Sequence, residues 1–333
     1  MAPLPLPLDA RIEVTGIIAE KSSVFKSNMF PMLLNFQGSD GSEYPVMFKD
    51  GDDMRQDQLV IQLFTLMDRL LRKENLDPKL TPYDVLATRP LQGMAQFTPS
   101  KSIAAIVSEN GTLLNYLRAN YPDEGSVETF GVEPNVIDTS VRSCAGYCVV
   151  TYLLGVGDRH LDNRLLAPDG HFFHVDFGYI LGRDPKPLAP PVKVCKETVD
   201  AMGGVQSVRY ARFKTFCFTA FTILRKSANL MLNLITLMVH ANIPRIKHRD
   251  VHEQVLGKFC LDMTEEQAIE HFEKLLNDIS PFTAELDRMH DWAQYLEKLS
   301  IWIHEVSASQ CRRTVAIGRG LGRCFACRFR YLT

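Results

Sequence analysis

The sequence predicts an α+β protein with a small β-rich N-terminal lobe and a larger, mainly helical C-terminal lobe. Two observations predict this class. Residues 11–49 consist of short apolar segments separated by turn-forming residues, a pattern typical of antiparallel strands. From Leu113 onward, apolar residues recur at helical spacing in long segments, as they do in helices that bury one face.

The composition is that of an ordinary globular protein. Hydrophobic residues make up 46% of the 333 positions and charged residues 23%, which allows one large core or two lobes and excludes disorder throughout. The formal net charge of −2 gives no overall attraction to nucleic acid or to an anionic membrane, so such attraction must come from local clusters. We therefore expect no nucleic-acid partner.

Cysteine usage and hydropathy predict a cytoplasmic protein with no membrane span. The eight cysteines follow no regular framework and no signal-peptide pattern opens the chain, so we expect reduced thiols in the cytosol. The two most apolar stretches, 144–157 and 229–243, are too short or too polar for a spanning helix, which needs about 20 apolar residues. Any membrane contact is therefore expected to be peripheral.

The predicted N-terminal lobe combines a small antiparallel sheet with one helix. Strands are predicted at 12–18, 32–36 and 44–48, with the turn-forming segment GSDGS between the last two. Residues 55–73 then switch to a helical period. The apolar stripe of this helix consists of Leu59, Leu63, Leu66, Met67 and Leu70.

The predicted C-terminal lobe is built from helices. A connector at residues 96–100 precedes it, and beyond this connector apolar residues recur every three to four positions, as on one helix face. We predict helices at 112–120, 133–156, 196–201, 207–224, 226–241, 248–257, 264–278 and 281–298.

The stretch GVGDRHLDN at 155–163, followed by DFG at 176–178, supplies most of a phosphotransferase active site. Transfer of a phosphoryl group from ATP needs metal ions that bridge phosphate oxygens. Kinase-type sites take the metal ligands from an Asn in the catalytic loop and an Asp in a DFG turn. Asn163 and Asp176 fit these two roles. We therefore predict ATP and Mg²⁺ as cofactors, with Mn²⁺ as an alternative cation.

The order of this motif differs from that of protein kinases, whose catalytic loop reads HRD with the Asn further along. The DRH order, with Asn163 three residues after His160, resembles the phosphoinositide 3-kinase and 4-kinase superfamily. The similarity to class III phosphatidylinositol 3-kinases is close from about residue 12 to residue 298. The matching segments are FKDGDDMRQDQL, KENLDPKLTPYDVLAT, SCAGYCVVTYLLGVGDRHLDN, HVDFGYILGRDPKPL and MVHANIP.

The resemblance implies a bilobal kinase-like fold and phosphorylation of the inositol 3-hydroxyl of phosphatidylinositol, in endosomal trafficking and autophagy. It divides the chain into an N-terminal segment (1–11), an N-lobe (12–95), a hinge (96–100), a C-lobe (101–298) and a basic tail (299–333). The tail has no counterpart in the family. We expect it to be either a genuine extension or an artefact of the gene model.

Three N-lobe residues resemble ATP-binding residues of the family. Lys49 matches the lysine that reaches the ATP phosphates, and Asp57 matches the acid that orients this lysine. On sequence alone, Asp57 is equally an acid placed at a helix N-terminus, where the helix dipole favours it. Tyr83 resembles the tyrosine at the back of the nucleotide pocket, although an isolated tyrosine is more often a core residue.

A phosphate loop and the hinge complete the expected nucleotide site. The segment FKSNMFP at 25–31 carries no glycine-rich motif, and the resemblance places Ser27 over the β-phosphate. Backbone groups around Gln96 and Phe97 are expected to contact adenine.

The catalytic loop supplies the candidates for proton transfer. His160 is the strongest candidate for assisting deprotonation of the attacking hydroxyl, because imidazole titrates near neutral pH. Asp158 is expected to position the hydroxyl or to polarise His160. Arg159 joins the predicted catalytic residues, and its expected role is to hold the loop by a salt bridge.

The segment that follows the DFG turn corresponds to the activation loop of the family. Arg183, Lys186 and Lys193 are expected to present positive charge to the lipid head group. The wording GRDPKPLAPP lacks the consecutive basic residues that class I enzymes place against extra phosphates. The resemblance therefore implies unphosphorylated phosphatidylinositol as the substrate.

The same resemblance implies the partners and the location. We expect contact with phosphatidylinositol in membranes, a protein-kinase-like regulatory subunit and a Beclin-type subunit. We also expect a cytoplasmic protein that is peripheral on endosomal or autophagic membranes. Two alternatives remain open: a catalytically impaired fragment that acts as a scaffold, and a phosphatidylinositol 4-kinase.

Overall fold

The structure is a computed structural model. All the residues that it describes belong to the first of two units of the chain, Met1–Ser280. Ser27, the predicted helix at 281–298 and the basic tail lie outside the described residues. The described residues are 2–25, 30–126, 128–186, 189–241, 243, 246 and 254–277.

The N-terminal part contains an antiparallel sheet, as predicted, but this sheet has seven strands where the sequence predicts three. The strand order is β1-β2-β4-β5-β7-β6, and β3 pairs with β4. The strands are β1 (Leu4–Leu6), β2 (Asp9–Ile17), β3 (Ser23–Val24), β4 (Met32–Gly38), β5 (Glu43–Asp50), β6 (Val85–Arg89) and β7 (Gln92–Gln96).

The sheet begins earlier in the chain than the sequence predicts. Leu4 of β1 lies opposite Val14 of β2, and Leu6 is buried together with Val14 and Val46. Residues 4–11, which the sequence assigns to a separate N-terminal segment, are therefore part of the sheet. The alternating prolines of this segment argue against a strand, but a strand at the sheet edge tolerates residues that lack an N–H.

One long helix, α1 (Arg55–Lys73), packs against this sheet. Its bounds agree with the helical period in the sequence. The last turn is basic, and Arg72 pairs with Asp68 one turn earlier, with 2.7 Å between Nε and Oδ2, which stabilises the helix modestly. The first turn carries two buried polar side chains, Gln56 and Asp57.

A second, three-stranded sheet follows the connector. Its strands are β8 (Lys101–Ser102), β9 (Arg164–Leu166) and β10 (Phe172–His174), in the order β10-β9-β8. The sequence analysis does not predict this sheet, because strands of two or three residues show no measurable alternation. The sheet is nevertheless important, since the GVGDRHLDN stretch leads into β9 and the DFG turn follows β10.

Beyond the connector the described chain is mainly helical, which confirms the predicted α+β class. Helix α2 lies in a segment for which no element is predicted, and residues 248–253 of the predicted helix at 248–257 lie outside the described residues. The helices are α2 (Ile103–Asn110), α3 (Leu113–Asn120), α4 (Pro134–Leu153), α5 (Lys196–Ala201), α6 (Val208–Lys226), α7 (Ala228–Met238) and α8 (Glu265–Asn277). None of the described helices is long and apolar enough to cross a membrane.

Helix α4 forms the centre of the main core. It packs against α6 and β10, and its C-terminal half, from Ser143 to Leu153, is buried at every position. The fully buried Tyr147 satisfies its hydroxyl by donating to the Thr81 carbonyl at 3.0 Å. This helix ends directly before the GVGDRHLDN stretch, so the core holds the start of that loop in place.

A glycine in α4 gives a direct test of this packing. A Cβ on Gly146 would stand 2.8 Å from Leu80 Cδ2 and 2.9 Å from Pro78 Cβ. We predict that Gly146→Ala destabilises the chain by about 1–3 kcal/mol through overpacking, even though alanine is the better helix former by about 1 kcal/mol. Thermal unfolding checks this. The control is Gly16→Ala, whose Cβ would meet no atom within 4 Å, and equal midpoints for the two variants would contradict the prediction.

Candidate active site

Two backbone segments lie side by side at the end of α4. Three backbone hydrogen bonds of 2.9 Å join residues 154–157 to residues 179–182. The approach is so close that only glycine fits. A Cβ on Gly155 would stand 2.4 Å from the opposite backbone, and one on Gly157 would stand 2.1 Å from the Arg183 carbonyl oxygen. The glycines of the motif are therefore required by the contact between the two segments.

Arg159 fastens the first segment to the DFG turn. Its guanidinium donates to the Gly157 and Val175 carbonyls at 2.7 Å each, and also to the Asp176 carbonyl. The residue is only 3% exposed, and burial lowers the pKa of its guanidinium to about 10, so it stays charged at neutral pH. The predicted salt bridge is therefore replaced by hydrogen bonds to three carbonyl groups, and Arg159 is a positioning residue.

His160 and Asp158 face each other in the same loop. The Asp162 N–H donates to His160 Nδ1 at 3.2 Å, which places the proton of the neutral ring on Nε2. His160 Nε2 lies 4.0 Å from Asp158 Oδ2. The two side chains thus form an adjacent pair, but at 4.0 Å they make no direct hydrogen bond, and the roles in proton transfer predicted for them stay predictions.

Asp158 is held in an unusual backbone conformation with one unsatisfied oxygen. Its φ of 54° lies in the left-handed region, which is uncommon for residues other than glycine. Burial raises the pKa of its carboxyl group, Arg159 opposes this effect, and Asp176 and Asp184 add to it. Asp158 Oδ1 is buried and has no hydrogen-bond partner among the described residues. This oxygen is available to a hydroxyl group or a cation.

Asn163 and Asp176 offer the oxygen atoms expected of cation ligands. The amide nitrogen of Asn163 donates to the Asp158 carbonyl at 2.9 Å, so Oδ1 is the atom that can face a cation. Asp176 is exposed, and its Oδ1 accepts the Gly178 N–H at 3.2 Å. Within the described residues, no group of three or more His, Cys, Asp or Glu side chains could hold a metal ion. Mg²⁺ usually takes only one or two protein carboxylates and completes its shell with phosphates and water.

The first turn of α1 holds the DFG phenylalanine by its backbone. Asp57 Oδ1 accepts the Phe177 N–H at 3.0 Å, and Gln56 Nε2 donates to the Phe177 carbonyl at 2.5 Å. The Phe177 ring packs edge-on against Phe64, with centroids 5.4 Å apart. Burial raises the pKa of Asp57 to about 6, against the attraction of Lys49. Gln56 is not among the site residues predicted from the sequence, where only its position next to Asp57 could have indicated it.

Lys49 extends from β5 towards these acids. Its ion pair is with Asp52, at 3.1 Å between Nζ and Oδ2, rather than with the predicted partner Asp57. Burial lowers the pKa of Lys49, but the charges of Asp57, Asp52 and Asp176 together raise it above its ordinary value. Asp57 therefore influences Lys49 through space while its own carboxylate binds the DFG backbone.

Comparisons with known proteins agree with this geometry. The sequence model of the family described as "Phosphatidylinositol 3- and 4-kinase" matches residues 43–248, which include Lys49, the paired loop segments and the DFG turn. The chain belongs to the phosphatidylinositol 3- and 4-kinase family.

Relatives within this lipid kinase family are similar over most of the chain. "Phosphatidylinositol 3-kinase pik3" of Schizosaccharomyces pombe is 56% identical over 299 residues, which cover 88% of this chain and 37% of that protein. Proteins named "Phosphatidylinositol 3-kinase VPS34" are 48% identical in Saccharomyces cerevisiae and 50% identical in Arabidopsis thaliana, and the alignments cover 88% of this chain and 34% and 36% of those proteins. The chain thus spans little more than a third of the length of these relatives.

Tyr83, which the family resemblance places at the back of the nucleotide pocket, lies in the core beside β10. Tyr83 is buried, and its ring lies 6.2 Å from that of Phe173. Burial raises the pKa of its phenol well above the ordinary value, and the charge of Asp57 adds to this shift. Tyr83 therefore stays neutral and lies within electrostatic range of the acids around Lys49.

In the hinge of this family member, the backbone N–H groups of Gln96 and Phe97 are already hydrogen-bonded to carbonyl groups of the chain. The Gln96 N–H donates to the Asp84 carbonyl at 2.8 Å, and the Phe97 N–H donates to the Pro45 carbonyl at 3.2 Å. Neither amide is available to adenine in this arrangement. The next amide, that of Thr98, has no acceptor among the described residues and is the better candidate.

The predicted head-group cations of this family member differ in their surroundings. Lys193 is only 9% exposed, and its ammonium pairs with Asp184 Oδ2 at 2.8 Å. It is therefore not the solvent-facing cation that the sequence predicts. Arg183 and Lys186 are half-buried. The sequence analysis misses Asp184 as a site residue, because an acid within a basic segment shows no pattern of its own.

A substitution at Arg159 tests the fastening of the catalytic loop. We predict that Arg159→Lys destabilises the chain by about 2–4 kcal/mol, because a lysine ammonium lacks the planar fork of donors and each buried carbonyl left unpaired costs about 1–3 kcal/mol. The control is Arg118→Lys, since Arg118 also donates to a backbone carbonyl, that of Phe130 at 2.7 Å, but in an exposed position. Thermal unfolding checks both variants, and a similar loss in each would contradict the account.

Proposed function

We propose that this chain transfers the γ-phosphate of ATP to the 3-hydroxyl of phosphatidylinositol and so forms phosphatidylinositol 3-phosphate. The observation that carries the proposal is the junction of two segments by Arg159. One segment bears Asp158, His160 and Asn163, and the other bears Asp176. The names of the relatives, which are phosphatidylinositol 3-kinases, support the choice of lipid and of the 3-position.

Kinases of this family use ATP and a divalent cation, and we propose Mg²⁺ for this chain, with Mn²⁺ as an alternative. The available donors are oxygens, from the Asp176 carboxylate and the Asn163 amide, and the unsatisfied Asp158 Oδ1 lies close by. Hard cations prefer such ligands. When bound, the cation neutralises the charge that develops on the transferring phosphoryl group.

Lys49 supplies positive charge from strand β5, within electrostatic range of Asp176. The acids around it keep its ammonium protonated despite burial. Its side chain is tied to Asp52, so it is already oriented before a nucleotide arrives. We propose that it binds the ATP phosphates, because preorganised charge stabilises the transition state without a reorganisation cost.

Proton transfer falls to the Asp158–His160 pair. As the 3-hydroxyl oxygen bonds to the γ-phosphorus and the bond to ADP breaks, its proton passes to this pair. The raised pKa of Asp158 makes its carboxylate a better proton acceptor, and His160 lies beside it with Nε2 4.0 Å from Asp158 Oδ2. A group of this kind contributes about 10²–10⁴-fold to the rate.

The charge of the activation segment favours an inositol ring without extra phosphates. Each added phosphate carries about −1.5 to −2 charges and needs paired Lys or Arg side chains. Lys193 pairs with Asp184, so part of the positive charge of residues 183–193 is neutralised within the segment itself. We therefore propose phosphatidylinositol itself as the substrate.

An enzyme whose substrate is a membrane lipid must act at the surface of a bilayer. We extend the proposal to peripheral action on endosomal or autophagic membranes from the cytoplasm. The protein-kinase-like regulatory subunit and the Beclin-type subunit belong to the same proposal, through the similarity to relatives of about three times the aligned length.

A lipid phosphorylation assay tests the proposal. With Mg²⁺, ATP and phosphatidylinositol vesicles, we predict 3-phosphate product and a much lower rate on the 4,5-bisphosphate. Asp176→Asn should lower the rate by at least about 100-fold, because it removes a charged cation ligand at constant shape. Asp169→Asn is the matched control, since Asp169 is an exposed acid paired with His171.

Each failure of this assay has a distinct meaning. No lipid product from the wild-type chain would favour the scaffold alternative, and phosphate at the 4-position would make the chain a 4-kinase. Comparable rates on both lipids would contradict the proposed substrate, and full activity of Asp176→Asn would contradict the proposed cation ligand.

A further inference from the structure

The Asp184 side chain forms a hydrogen bond between the activation segment and the catalytic loop. Its Oδ2 accepts the Lys193 ammonium at 2.8 Å and the Asp158 N–H at 3.3 Å. Its Oδ1 accepts the Lys186 N–H at 2.9 Å. One carboxylate thus joins two points of the activation segment to the first residue of the DRH sequence.

The Asp184–Lys193 pair is shielded from solvent. The two side chains are 13% and 9% exposed, so their attraction is screened far less than that of a surface pair. Removal of either partner leaves a charge in a site with little water, which is more disruptive than removal of both. A further cation, Lys258, lies near, since burial and the charge of Lys193 lower its pKa to about 8. Asp184 pairs with the lysine whose charge acts on this second cation.

The contact matters because of the backbone at Asp158. Its φ of 54° is unfavourable for a residue with a side chain and persists only where neighbours fix it. Asp184 holds the N–H of this residue, and Asn163 holds its carbonyl at 2.9 Å. The peptide groups on both sides of Asp158 are thus fixed, and with them the direction of its carboxylate.

We infer that Asp184, neutralised by Lys193, is a positioning residue that aims Asp158 at the substrate hydroxyl, and that Lys193 acts through Asp184 rather than by binding the lipid head group. This inference rests on the proposed lipid kinase activity. It assigns the two residues a shared role, so loss of either has the same consequence. A head-group role for Lys193 implies the opposite, because removal of Asp184 would then release a cation for the lipid.

The test compares variants of the full chain on phosphatidylinositol vesicles. Asp184→Asn and Lys193→Gln should each lower kcat by about 10- to 100-fold, the range expected for a misplaced catalytic group, while the KM for ATP and cosedimentation with the vesicles stay unchanged. The double variant should be no worse than the more impaired single variant, and Lys193→Arg should retain activity. Lys274→Gln, which removes a lysine from an exposed pair with Glu270, is the charge-matched control.

The opposite pattern would overturn the inference. Weaker vesicle binding by Lys193→Gln, together with unchanged or stronger binding by Asp184→Asn, would make Lys193 a head-group ligand. Unchanged kcat in both would remove the positioning role, whereas absence of product from the wild-type chain would instead reject the proposed function. Thermal midpoints give a readout without activity, since additive losses in the double variant would show that the residues do not act as a pair. If Asp184→Asn does not fold, the comparison of Lys193→Gln with Lys193→Arg carries the test.

Discussion

The buried guanidinium of Arg159 is the interaction on which the arrangement of the site depends. It donates to carbonyl groups before and after it in the chain, at Gly157, Val175 and Asp176. A buried cation is costly unless its donors are satisfied, and here backbone oxygens satisfy them. The cost of moving any of these carbonyls away is therefore high. The catalytic loop and the DFG turn behave as one piece for this reason.

The other features of the site follow from that junction. Because the two segments are fastened, their backbones approach until only glycine fits at positions 155 and 157. The N-terminal lobe joins the same piece through Gln56 and Asp57, which hold both backbone groups of Phe177. A helix that packs on one sheet thus fixes the DFG turn that follows the other sheet. The proposed cation ligands sit on this rigid base, which is the condition for electrostatic preorganisation.

The sequence predicts those parts of the structure that rest on local patterns. The long amphipathic helix α1 and the strands β2, β4 and β5 show patterns long enough to be recognised, whereas β3, β6 and β7 are not predicted. The strands β8, β9 and β10 are too short to show a period, and the prolines of β1 hide an edge strand. The motif around residues 155–163 identifies the chemistry, because its residue types are what phosphoryl transfer requires.

The choice among similar partners could not be predicted. Asp52 and Asp57 are both near Lys49 along the chain, and only the fold shows that Asp52 makes the ion pair while Asp57 binds Phe177. Lys193 is likewise predicted to be a surface cation, and only the fold shows that it is largely buried and paired with Asp184. Such pairings depend on burial and on contacts between distant segments, which a pattern of residue types does not contain.

The hydrogen bonds of Arg159 hold the catalytic loop and the DFG turn in place before any nucleotide binds. Hydrogen exchange of the nucleotide-free chain measures this directly. We expect the amides of residues 155–160 and 175–182 to exchange together and far more slowly than those of the exposed turn at 123–126, with little change on addition of Mg²⁺ and ATP. Rapid exchange of the DFG amides that slows only when the nucleotide is added would contradict the claim, because the site would then be assembled by its ligand.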